Sequence, residues 1–95
     1  MYAIVLVFDS VGADQYWAVN EQLGIDRDGR GDWPDGIVSH AGGPTADGGW
    51  LVSEVWESRA DQEQFMAGRL GKALADVGVP APTQVIDSDL EHHHS

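Results

Sequence analysis

A chain of 95 residues with a formal net charge of −11 and only five basic side chains makes one small domain that is unsuited to nucleic acid or an anionic membrane, because phosphate contacts need clustered Lys and Arg. The absence of cysteine excludes disulfides, zinc–thiolate sites, iron–sulfur clusters and thiol catalysis. A domain this small hides only about 60–65% of the surface its unfolded chain exposes, so a second copy covering one face would help it. The expected partners are therefore another copy of the chain and a neutral apolar or aromatic small molecule.

No apolar run approaches the roughly 18–20 residues of a membrane span, and the first apolar run lacks the basic flank of a signal peptide, which predicts a cytoplasmic location. The domain is expected over residues 1–89. The stretch Leu90-Glu91-His92-His93-His94-Ser95 resembles an expression tag, so its histidines are set aside from any metal argument.

Residues 2–8 are apolar without a break and rich in β-branched types, which predicts a strand covered on both faces. In residues 13–23, Tyr16, Val19 and Leu23 fall at helical spacing, between Gly12 as cap and Gly24 as stop. Trp17 lies beside that stripe, where it can face a sheet edge, a partner chain or a cavity mouth. Residues 24–36, GIDRDGRGDWPDG, form a loop long enough to be functional, with Trp33 as its anchor. Residues 37–42 and 50–57 read as strands joined by a turn over 43–48. Ser58 and Asp61 mark a helix start, and Phe65, Met66, Leu70, Ala73, Leu74 and Val77 trace one apolar stripe to the Gly78 stop. Pro80 and Pro82 bar further helix, and residues 83–86 form the last strand.

The order strand, helix, strand, strand, helix, strand is the split βαβ, or ferredoxin-like, arrangement: an α+β fold with a four-stranded antiparallel sheet and both helices on one face. The two-sided apolar first strand predicts that two such sheets pack face to face as a homodimer.

The strand-to-helix stretch SEVWESRADQEQF carries Glu54, Trp56 and the capped helix start, and VGVPAPTQVI leads out of that helix into the last strand. These segments, with the element order, resemble the antibiotic biosynthesis monooxygenase-like proteins of the dimeric α+β barrel superfamily. The resemblance implies a homodimer with a pocket in each protomer between sheet and helices, in a family that includes cofactor-free oxygenases acting on polycyclic phenols. Haem-degrading members use an asparagine on the first strand and a histidine late in the second helix; this chain has neither. No catalytic set of the family transfers residue by residue, and no cofactor is implied.

Alternation puts Glu54 on the face of Trp50, Val52 and Trp56. A carboxylate desolvated among apolar rings is suited to proton transfer near neutrality, or else is held in a structural hydrogen-bond network. His40 shares that face if Gly42 pairs with Trp50, and points away if Ala41 does. Glu54 and His40 are the candidate catalytic residues, and Trp17, Trp50, Trp56 and Tyr16 the candidates for holding a flat ligand; Phe8 and Phe65 are expected as ordinary core. An open pocket of about 300 Å³ or more containing Glu54 would favour binding or catalysis. Asp26, Asp28 and Asp32 suggest a calcium loop, but the register puts Arg30 and Ile37 at ligand positions, so no metal site is expected.

Overall fold

The structure is a computed structural model that describes residues 1–93; the last two residues of the tag-like tail lie outside them. Strand β1 (Tyr2–Phe8), helix α1 (Ala13–Leu23), strands β2 (Ile37–Pro44) and β3 (Trp50–Trp56), helices α2 (Arg59–Phe65) and α3 (Gly71–Val77) and strand β4 (Gln84–Asp89) follow in order. The sheet is antiparallel with order β2-β3-β1-β4, the ferredoxin-like topology expected from the sequence. Among the described residues no helix is long and apolar enough to cross a membrane.

β1 and β3 are the central strands, and alternation divides each between two faces. Tyr2, Ile4, Leu6 and Phe8 lie opposite Trp56, Glu54, Val52 and Trp50, and all eight are buried against the helices. The reverse face carries Ala3, Val5, Val7, Leu51 and Val55, half-buried. Ile86 lies opposite Val5 on that face and is 56% exposed.

Local signals set the ends of the helices. Gly24 and Gly78 cap α1 and α3 in the left-handed conformation at φ 79° and 85°, where a side chain is disfavoured. The Ser58 hydroxyl accepts from the Asp61 N–H at 3.2 Å. The second helical run departs from the expected uninterrupted α-helix, because Met66–Leu70 is a π-helical turn. Gly71 permits it: its N–H bonds the Met66 carbonyl, and a Cβ there would lie 2.8 Å from that oxygen. Strand limits also move, β2 running on to Pro44 and β4 occupying Gln84–Asp89.

Each of the five basic side chains is engaged nearby. Arg59 bridges Asp87 at 3.1 Å and Asp89 at 3.5 Å, lying 4.6 Å over the Tyr2 ring. The Tyr2 hydroxyl donates to the same Asp87 carboxylate at 2.6 Å; burial, then that bond, push the phenol up to about 12, and the bond holds Asp87 below the usual carboxylate range. Arg69 donates to the Leu23 carbonyl at 2.9 Å and the Asp32 carbonyl at 2.8 Å, tying the 24–36 loop to the end of α1 and to the second helical run. Lys72 pairs with Asp76 at 3.1 Å, Arg30 lies 4.0 Å from Asp28, and Arg27 lies 5.0 Å over the Trp17 ring.

Candidate functional site

The hairpin register decides where His40 points. Pro44 pairs with Trp50 and Gly42 with Val52, which sets His40 directly opposite Glu54 on the helix-facing side. This is neither of the two registers that the sequence suggests, but it has the parity of the one that brings His40 and Glu54 together. A bulge between Ile37 and Ser39 restores the pairing of Ile37 with Trp56, so His40 is held by a regular ladder downstream of the irregularity.

Four side chains form a continuous hydrogen-bonded chain. Trp56 Nε1 donates to Glu54 Oε1 at 3.1 Å, His40 Nδ1 lies 2.9 Å from Glu54 Oε2, and the Tyr16 hydroxyl lies 2.6 Å from His40 Nε2. An ionised Glu54 only accepts, so Nδ1 is the donor of that bond, and on a neutral imidazole it carries the one ring proton. Nε2 is then the acceptor for the Tyr16 O–H. The Glu54 side chain is 5% exposed and that of His40 15%; a carboxylate buried so far needs the partners it has here.

The chain borders a cavity of about 60 Å³ between sheet and helices. Tyr16, His40, Glu54 and Trp50 all line it, with Phe8 and Phe65 as apolar wall. Phe8 and Phe65 are thus both core and cavity lining. The volume is far below the roughly 300 Å³ of an open pocket, and below the about 150 Å³ of an engineered cavity that takes benzene. Trp33 and Pro34 close it from the 24–36 loop. Trp33 lies tilted against His40 with ring centroids 5.1 Å apart, and its indole N–H donates to the Gly29 carbonyl at 2.8 Å.

The four aromatic candidates separate. Tyr16 and Trp50 pack together at the cavity, with centroids 4.9 Å apart. Trp56 is fully buried behind Glu54 and packs on Phe65 at 5.6 Å; it does not line the cavity. Trp17 lies outside the cavity as well, edge-on to Tyr16 and under Arg27. Trp50 Nε1 is buried without any hydrogen-bond partner among the described residues, a state that costs about 1–3 kcal/mol for a typical buried donor.

The contact of Tyr16 with His40 was not legible as a sequence pattern, because it joins a helix to a strand 24 residues away. One signal for it exists: Gly42, two residues beyond His40 on the same strand face, leaves the space the Tyr16 ring fills, and a Cβ there would lie 2.9 Å from Tyr16 Cζ. In the 24–36 loop, Asp26 accepts from the Arg30 backbone N–H at 2.9 Å and its own N–H donates to the Arg30 carbonyl at 2.8 Å, so the loop closes on itself through its backbone.

No protein-family model and no curated protein matches the sequence. Solved structures do match in fold. Rv0793 from Mycobacterium tuberculosis superposes with a TM-score of 0.67 at 19% identity, covering 99% of this chain and 98% of that one. A protein from Deinococcus radiodurans described as a candidate antibiotic biosynthesis monooxygenase gives 0.65 at 16% identity, over 100% and 97%. One from Chloroflexus aurantiacus with the same description gives 0.65 at 13% identity, over 99% and 96%. The chain therefore has the ferredoxin-like α+β fold of the antibiotic biosynthesis monooxygenase-like proteins, as its sequence resemblance implied.

Proposed function

We propose that the protein binds a small flat aromatic or polyketide-like molecule between sheet and helices and moves a proton from it through Tyr16, His40 and Glu54. The observation that carries this is the hydrogen-bonded chain Tyr16–His40–Glu54–Trp56 ending at an apolar cavity. Glu54 fixes the tautomer and orientation of His40, so that Nε2 can accept the Tyr16 proton and Tyr16 can accept one from a bound phenol. Deprotonating a phenol raises the electron density of its ring. The phenolate can then reduce dioxygen: one oxygen atom bonds to a ring carbon, and the hydrogens lost from that carbon and from the hydroxyl leave with the other oxygen atom as water, giving a quinone. Trp50 and Tyr16 hold the ring; Trp56 positions Glu54. Because the cavity is too small for a ring, admission requires the Trp33 segment to move outward from His40.

Calorimetric titration with phenol and 2-naphthol tests this in wild type and Glu54→Gln across pH. The substitution keeps the shape of Glu54 but removes the charge that orders His40, so either affinity or its pH dependence is expected to change. Identical curves at every pH would remove Glu54 from the function. Failure of both ligands to bind would favour a second reading, a non-catalytic homodimer in which the buried chain only orders the sheet.

The same proposal includes a homodimer. Its support is the uncovered face of the sheet, where Val5, Val7, Leu51, Val55 and Ile86 form an apolar patch on the two central strands and one edge, a surface that a second copy can cover. Sedimentation equilibrium is expected to give twice the 10.2 kDa chain mass; a stable monomer at micromolar concentration would leave that face without its occupant.

A further inference from the structure

Trp33 borders two spaces. It closes the cavity of about 60 Å³ from the 24–36 loop, and it also lines an open surface groove of about 400 Å³ with Gly29, Ile37, Val38, Ser39 and His40. Three residues, Trp33, Ile37 and His40, border both. Ile37 and His40 are fixed in the β2 ladder, so Trp33 is the part of the partition that lies outside the sheet. The backbone around it is stapled. The Asp32 N–H donates to the Gly24 carbonyl at 3.0 Å, and the Asp32 carbonyl accepts from Arg69 at 2.8 Å. Pro34 follows with its φ locked, and the Gly36 carbonyl accepts from the Glu57 N–H at 2.7 Å. The Trp33 side chain is held more lightly. Its ties are the tilted contact with the His40 ring at 5.1 Å and one hydrogen bond from Nε1 to the Gly29 carbonyl, in exposed surroundings where water can replace it.

We propose that Trp33 is a plug: a ring of the chain's own that occupies the place beside His40 and that an incoming ligand displaces into the outer groove. The proposal rests on the cavity being a ligand site, and it adds how that site is regulated. The enclosed space is too small for a ring, whereas an indole that swings out vacates a space of its own size against His40. The closed protein is then autoinhibited, and the affinity for any ligand is reduced by the fraction of molecules whose plug is out. A wall and a plug respond oppositely to truncation. Removing a wall takes contacts from the bound ligand and speeds its dissociation; removing a plug takes contacts only from the free, closed protein and speeds association.

Stopped-flow fluorescence of 2-naphthol, excited beyond the tryptophan band, separates the two. Trp33→Ala is expected to bind it about tenfold more tightly than wild type, through faster association with dissociation little changed. That factor is what the lost hydrogen bond and ring contact of the closed state supply. Trp33→Phe keeps a ring and forfeits the N–H, so it is expected to fall between. In ¹H–¹⁵N spectra of the wild type, saturating 2-naphthol is expected to move the assigned Trp33 indole resonance to the position of a hydrated indole and to speed its exchange with water. That measurement needs no variant and decides the matter if neither variant folds. Weaker binding of Trp33→Ala through faster dissociation, or an unmoved Trp33 resonance with 2-naphthol bound, overturns the plug and leaves the cavity a ligand site. Binding of 2-naphthol to neither wild type nor Trp33→Ala overturns both.

Discussion

Trp56→Ala is expected to abolish cooperative folding at 37 °C or bring the protein close to that limit. The side chain is fully buried, and removing a buried tryptophan costs about 3–5 kcal/mol through lost transfer energy and an incompletely collapsed cavity. Its indole N–H also supplies one of the bonds of Glu54, so the truncation leaves a buried carboxylate oxygen short of a donor, adding about 1–3 kcal/mol. Against a total of about 5–15 kcal/mol for a native domain, little remains. Urea unfolding followed by circular dichroism measures this directly. Trp56→Phe separates the two losses: it keeps a ring against Phe65 and forfeits the N–H, so it is expected to lose only part of the stability. A Trp56→Ala variant within about 1 kcal/mol of wild type would show that Trp56 is not the anchor of β3.

Gly42→Ala is expected to separate Tyr16 from His40. A Cβ at this position would lie 2.9 Å from both Cζ and the hydroxyl of Tyr16, closer than unstrained contacts allow, and the crowded atoms belong to a ring that also packs on Trp50. Overpacking of this kind costs about 2 kcal/mol, or roughly 8–16 °C in Tm for a domain of this size. The hydrogen bond of 2.6 Å is the contact that should give way, since moving the hydroxyl relieves the clash without disturbing the ladder. Imidazole nitrogen chemical shifts report it: Nε2 is expected to move toward the value of an unbonded acceptor, with Nδ1 still bonded to Glu54. Unchanged Nε2 shifts in a folded variant would mean that Gly42 is not the seat of Tyr16.

The fold was legible because its signals are local and repeated. The unbroken apolar run of β1, alternation in β3, glycine stops at Gly24 and Gly78, and the Ser58 cap each act within a few residues, and together they leave the ferredoxin-like order with few competitors. Glu54 was legible as the odd carboxylate on a face of rings. His40 was half legible: strand parity follows from the number of residues in the turn, and one extra pair on β2, bringing Pro44 opposite Trp50, lay beyond what turn composition states. Trp17 and Trp56 were drawn toward the site by their chemistry, but helix rotation and depth place them outside and behind the cavity. The π-helical turn at Met66–Leu70 had no periodic signature, because the apolar stripe on either side fits ordinary α-helical spacing.

The engagement of all five basic side chains has a consequence for how solutes arrive. Four of the five cations are paired with a carboxylate close by and Arg27 lies over the Trp17 ring, so the net charge of −11 is carried by acidic groups with no cation cluster to offset it. The field beyond the first layer of solvent is therefore negative over much of the protein, reaching out about 8 Å at physiological ionic strength. Anions are slowed by that field and neutral molecules are not, so the surface sorts by charge before any group in the interior makes contact. For the ligand proposed above, added salt is expected to speed the binding of a carboxylated analogue while leaving the neutral phenol unaffected, as stopped-flow tryptophan fluorescence would measure.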